Sequence, residues 1–155
     1  MAKTALDATD KKILRFLIKN ARTPFLEIAR ECGISGAAIH QRIKKLEDMG
    51  VIQGSRLDVA PKSLGFDVCA FISIRVSDIT RQQDTVEQLK KIPEIVECHF
   101  TTGNYTMLTK LYCRDNEHLM ELLNAKIQEI PGVTATETLI SLEQSIKKEI
   151  PICKE

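Results

Sequence analysis

Seven residues in one short run, Ser35, Gly36, Ala37, His40, Gln41, Lys44 and Lys45, carry the most legible chemistry in this 155-residue sequence. In GISGAAIHQRIKKLEDMG (33–50) the small side chains come first, then imidazole, amide and ammonium groups. A helix entering a major groove needs that order: little bulk at its N-terminal approach, hydrogen-bonding heads for base edges, then cations for phosphates. Gln41 and His40 are the expected base-edge contacts, Lys44 and Lys45 the phosphate contacts, and Ser35, Gly36 and Ala37 the close approach. Arg42 lies beside the apolar stripe and has two readings, a phosphate contact or a brace through acids of its own domain. Arg56 is a further phosphate candidate. All of this is binding chemistry. No nucleophile, base and acid gather at one motif, so no catalytic residue is assigned, and His99 and His118 read as structural or solvated. Five cysteines without a CxxC pair and three scattered histidines offer no metal-ligand spacing, so neither a metal nor another cofactor is expected.

A helix must present those residues, and Ile39, Ile43 and Leu46 supply its buried stripe at i, i+4, i+7. Ser35 sits where an N-cap belongs, and Gly50 stops the run. Upstream, Asp7 or Thr9 can cap a helix whose apolar positions are Ile13, Leu14, Leu17 and Ile18, after a loose tail over residues 1–6. Thr23-Pro24 reads as a cap followed by a first-turn proline, and the short helix behind it has Leu26, Ile28, Ala29 and Cys32 for its inner face. Only Gly33 and Ile34 separate it from Ser35. Three helices with this tight turn predict a helix-turn-helix. Val51, Ile52, Leu57 and Val59, flanking Gln53-Gly54-Ser55-Arg56, predict a small hairpin or wing.

Charge supports the same partition. Residues 1–64 carry 12 Lys/Arg against 7 Asp/Glu, hence +5, and residues 65–155 carry 10 against 14, hence −4. The basic part is the one suited to a polyanion. The expected organisation is a DNA-binding domain over 1–60, a linker over 61–66 and a second domain over 67–155. No apolar run approaches the roughly 20 residues of a membrane span, and nothing resembles a secretory signal. Cys32, Cys69 and Cys98 lie among apolar neighbours, as reduced thiols do. A cytoplasmic protein without a membrane partner is expected.

From Asp67 the predicted order is strand, helix, strand, strand, helix, strand. Val68, Ala70, Ile72, Ile74 and Val76 alternate on the first strand, leaving Cys69, Phe71, Ser73 and Arg75 on a mixed opposite face. Ile95–Thr102 and Tyr105–Cys113 are strands joined at Gly103-Asn104. A helix with Val86, Leu89 and Ile92 ends at Pro93; another with Leu119, Leu122, Leu123, Ile127 and Ile130 ends at Pro131-Gly132. Val133–Glu143 is the last strand. KIPEIVECHF (91–100) and EIPGVTATET (129–138) repeat helix end, Ile-Pro and strand at an offset of 38 residues. Two βαβ units of that size predict an α+β fold, a ferredoxin-like βαββαβ domain with both helices on one face of an antiparallel sheet. Phe71 on the other face suits a partner sheet, so a symmetric dimer is expected.

LDATDKKIL (6–14), GISGAAIHQRIKKLEDMGVI (33–52), PKSLGF (61–66), TTGNYTMLTKLY (101–112) and IPGVTATET (130–138) together resemble the Lrp/AsnC, or feast/famine, transcription regulators over nearly the whole chain. The resemblance implies a winged helix-turn-helix on double-stranded DNA, homodimers assembling to octamers, and an amino-acid effector held between subunits. It implies effector residues in two motifs: Gly103, Asn104, Tyr105 and Thr106 in one, Thr136, Glu137 and Thr138 in the other. The family usually follows the turn glycine with an acidic residue, an aromatic and an aspartate; here Asn104, Tyr105 and Thr106 stand there. Glu137 is the nearest substitute as ammonium partner. Backbone carbonyls holding the amino group, an effector other than a standard amino acid, and no effector at all are the alternatives this departure leaves. The last corresponds to an architectural DNA-binding protein.

Overall fold

The computed structural model describes residues 6–152, so the rest of the predicted tail and Cys153 lie outside the described residues. The chain divides into two compact units, the described parts of Met1–Asp58 with Ile146–Glu155, and Val59–Ser145. Each is built on its own core.

The first unit holds α1 (Ala8–Lys19), α2 (Phe25–Cys32) and α3 (Gly36–Asp48). Its core is Ile13, Ile28, Ala29, Ile39 and Ile43, with Phe16, Leu17, Phe25, Cys32, Ile34 and Ile52 packed around them. Asp7 opens α1 in a reciprocal capping box with Asp10, whose side chain is almost wholly buried. Gly33, at φ 67°, ends α2 in the left-handed region, and Ile34 N–H then bonds back to the Ala29 carbonyl. Ser35 Oγ accepts from Ala38 N–H at 3.1 Å, so α3 starts where expected.

Three local expectations need correction. Thr23 does not cap α2: its hydroxyl bonds the Asn20 carbonyl, and Pro24 itself takes the cap position. Leu26 is exposed rather than inner, as is Ile18, because Phe25 takes up the core side of α2. The Leu26 side chain lies instead over the start of α3, where a Cβ on Gly36 would come within 3.1 Å of its Cδ2. Finally, residues 51–60 form no strand. The N–H groups of Val51 and Ile52 are spent on the Leu46 carbonyl at the end of α3, so no ladder can begin there. An isolated two-stranded ribbon is marginal in any case.

The second unit is a four-stranded antiparallel sheet in the order β2-β3-β1-β4, with β1 Val68–Val76, β2 Ile95–Phe100, β3 Met107–Cys113 and β4 Val133–Ser141. Helices α4 (Gln82–Leu89) and α5 (Asn116–Glu121, continued by a π-helical turn over Leu122–Ile127) complete both βαβ halves. The repeat is visible in hydrogen bonds. Ile95 N–H bonds the Ile92 carbonyl and Val133 N–H the Ile130 carbonyl, each at 3.1 Å and 38 residues apart. Alternation on β1 holds: Ala70, Ile72, Ile74 and Val76 enter the core with Leu89, Met107, Leu111, Leu122 and Ile127, while Cys69, Phe71 and Ser73 are half-buried. The β2–β3 connection is longer than the expected two residues and spans 101–106.

Candidate functional site

On α3 the side chains of Ala37, His40, Gln41 and Lys44 are exposed at i, i+3, i+4, i+7, forming one outward stripe with Lys45 beside it. The buried stripe of Ile39, Ile43 and Leu46 holds the opposite side. His40 is steadied by the Phe25 ring, edge-on at 5.2 Å between centroids. Arg42 resolves its two readings toward the brace. Its Nη1 donates to Asp7 Oδ2 at 2.6 Å and to Asp10 Oδ1 at 2.7 Å, tying α3 to the start of α1. That guanidinium holds the Asp7 carboxyl below the ordinary aspartate range, helped by the Asp10 N–H. Arg56 is exposed in the extended segment after α3. The stripe therefore offers an amide, an imidazole and ammonium groups from a helix whose orientation is locked from behind.

The second candidate lies in the turn 101–106. Thr101 N–H bonds the Thr106 carbonyl at 3.0 Å, and Thr101 Oγ1 donates to the Tyr105 carbonyl at 2.9 Å. Thr106 is clamped against β1: its N–H reaches the Ile74 carbonyl, and its Oγ1 accepts from Val76 N–H, both at 2.9 Å. Gly103 has φ 108°, a conformation that disfavours any side chain. Arg75, which sequence reasoning left out of the site, completes it. Its Nε donates to the Asn104 carbonyl at 2.9 Å, and its guanidinium lies 5.1 Å from the centre of the Tyr105 ring. Among the described residues the N–H groups of Gly103, Asn104 and Tyr105 have no hydrogen-bond partner.

The second motif divides between the two faces of the sheet. Glu137 pairs with Ser73 and shares the open face with Arg75, whose own partner is Ala135. Thr136 and Thr138 pair with Ile74 and Ile72 on the helix-covered face, where Thr136 Oγ1 accepts from Gln128 Nε2 at 2.9 Å. Only Glu137 of that motif is thus brought to the side of Arg75. Two shallow clefts of about 290 and 350 Å³ open elsewhere on this unit, and no turn residue lines either.

Residues 6–53 match the description "Winged helix-turn-helix DNA-binding", and residues 69–151 match "Lrp/AsnC ligand binding domain". The chain belongs to the Lrp/AsnC family. It is a DNA-binding transcriptional regulator. The regulatory protein AsnC of Escherichia coli (strain K12) is 39% identical over 145 residues, covering 94% of this chain and 95% of AsnC. The structure of E. coli AsnC superposes with a TM-score of 0.89 at 38% identity, covering 94% of this chain and 98% of that one. A feast or famine regulatory protein from M. tuberculosis, complexed with L-methionine, superposes at 0.89 with 27% identity, covering 96% and 100% of the two chains.

Relatives of this chain are named as a regulatory protein and as an HTH-type transcriptional regulator. His118 is nearly buried, its Nδ1 accepting from Arg114 and its Nε2 3.4 Å from Glu94. His99 is exposed, 3.5 Å from Glu97. No helix among the described residues is long and apolar enough to cross a membrane.

Proposed function

We propose that this Lrp/AsnC regulator reads double-stranded DNA with Ala37, His40, Gln41 and Lys44, flanked by Ser35, Gly36, Lys45 and Arg56, and that an amino acid bound at the Gly103–Thr106 turn modulates it. Arg42 leaves the DNA-facing set and becomes the brace of the reading helix. The observation that carries the DNA assignment is the exposed stripe on a helix pinned by two aspartates. Loss of a base contact costs roughly 1–3 kcal/mol and relaxes specificity; loss of a phosphate contact weakens every sequence and flattens the salt slope by about one unit. Fluorescence anisotropy on DNA selected from a random pool therefore separates the roles. Gln41→Ala should blur sequence preference, and Lys44→Glu should weaken all sequences. If both variants bind as the wild type does, another surface reads the DNA.

The effector assignment rests on the turn: among the described residues three successive main-chain N–H groups lack partners, beside a glycine where a carboxylate can approach closely. Glu137 on the same sheet face serves the ammonium group. The turn residues line neither of the two shallow clefts, which fits a site completed by a second copy, and the mycobacterial relative complexed with L-methionine supports an amino acid as the ligand. The protein is then a cytoplasmic homodimer joined through the open sheet face, assembling further to octamers. A thermal-shift panel of amino acids tests this. A ligand at 100 times its dissociation constant stabilises the native state by about 2.7 kcal/mol. A panel without any shift would favour the architectural, effector-independent reading.

A further inference from the structure

Arg75 changes the charge character of the effector turn. The positions around it that carry a carboxylate in the usual family pattern are the neutral Asn104 and Thr106. Its guanidinium is fixed at the turn by the Nε bond to the Asn104 carbonyl and by the Tyr105 ring. Nε is the nitrogen so engaged; among the described residues no carboxylate lies within ion-pair distance of Arg75, although Lys90, Lys110 and Lys147 all have one. The turn N–H groups beside it, without partners among the described residues, are further donors that an anion could use. Glu137, two residues along the neighbouring strand from the Arg75 partner Ala135, brings an acid to this face.

Accepting the turn as the effector site, we infer that it selects a dicarboxylic amino acid, with Arg75 the residue that reads the second carboxylate. The α-carboxylate takes the Gly103–Tyr105 N–H groups, the α-ammonium takes Glu137, and the side-chain carboxylate takes the free terminal nitrogens of Arg75. A planar guanidinium with two parallel donors suits a carboxylate better than it suits an amide, and it repels an ammonium or guanidinium side chain. Selectivity is thereby set by a residue of β1 that neither of the two effector motifs contains.

The test is titration calorimetry on the full-length protein with L-aspartate, L-asparagine, succinate and L-lysine, repeated on Arg75→Gln, Arg75→Lys and Gly103→Val. The expected wild-type result is aspartate about tenfold or more tighter than its isosteric amide, the size of one charge-assisted contact, with no heat from lysine. Succinate, lacking the ammonium group, should be weaker than aspartate. Arg75→Gln should collapse the aspartate-to-asparagine ratio toward one, and Arg75→Lys should recover part of it. A merely structural role for Arg75 would lower both affinities together and leave the ratio alone, which would overturn the inference. So would wild-type binding of asparagine as tight as aspartate, provided Gly103→Val abolishes it; the turn would then remain the effector site. Silence from the whole panel would overturn this inference and leave the effector-site reading to the wider amino-acid panel, whereas binding indifferent to Gly103→Val would overturn both.

Discussion

Arg42 shows how one side chain can be mistaken for a ligand contact. It sits on the DNA-facing helix beside Lys44 and Lys45, yet both of its acidic partners are in its own domain, and one of them, Asp10, is 1% exposed. Removing the guanidinium strands that buried carboxylate. Arg42→Ala is expected to cost about 3 kcal/mol, the lower end for breaking a buried pair because Arg42 itself is partly solvated. Urea titration would show it as a lower midpoint with an unchanged slope. The Asp7 carboxyl adds a pH signature. Its value is depressed in the folded state, so the contribution of the pair is complete above the ordinary aspartate range and is lost as pH falls through the lowered value. In Arg42→Ala that part of the acid limb should flatten. A variant as stable as the wild type at pH 7, with an unchanged acid limb, would show that the brace is idle.

At the scale of elements, the turn 101–106 is held at both ends and strained in the middle. Thr106 is bonded to β1 through main chain and hydroxyl, and Gly103 adopts a φ that costs a side chain energy even though no atom lies within 4 Å of where its Cβ would stand. Gly103→Val should therefore fold, at a cost of about 2 kcal/mol from backbone strain and not from a clash. Chemical denaturation measures that cost, and calorimetry on the same sample reads whether amino-acid binding is lost with it. A stability equal to wild type would mean the turn can adopt another conformation. The segment after α3 is the opposite case: its alternating apolar residues resemble a strand, but the end of α3 takes the hydrogen bonds a ladder would need.

At the scale of the whole molecule, the open sheet face presents Phe71 flanked by Lys110 on β3 and Leu139 on β4, the latter 55% exposed. Apolar surface of this kind is expected to be covered by a second copy. Phe71→Asp tests it cleanly, because the new carboxylate has Lys110 opposite it within the same subunit and the fold can accept it. Sedimentation of the full chain at micromolar concentration should show a dimer or larger for the wild type and a shift to monomer for Phe71→Asp. A wild-type monomer would remove the interface.

Periodicity and local chemistry made the helices, the antiparallel sheet, the 38-residue repeat and the alternating core of β1 legible in the sequence, because each depends on residues that are close along the chain or on a simple pattern. The exposed stripe of α3 was legible for the same reason. What lies far apart along the chain was not. Arg42 finds Asp7 and Asp10 more than 30 residues away, and Arg75 finds Asn104 at a separation of 29. Nothing local marks either pairing. The division of Thr136 and Thr138 from Glu137 followed from strand register, since side chains alternate faces and neighbours in a motif cannot all serve one site. Register and long-range ion pairs are set by how complete elements pack, so the folded chain was needed to separate the residues that read a ligand from those that hold the reader in place.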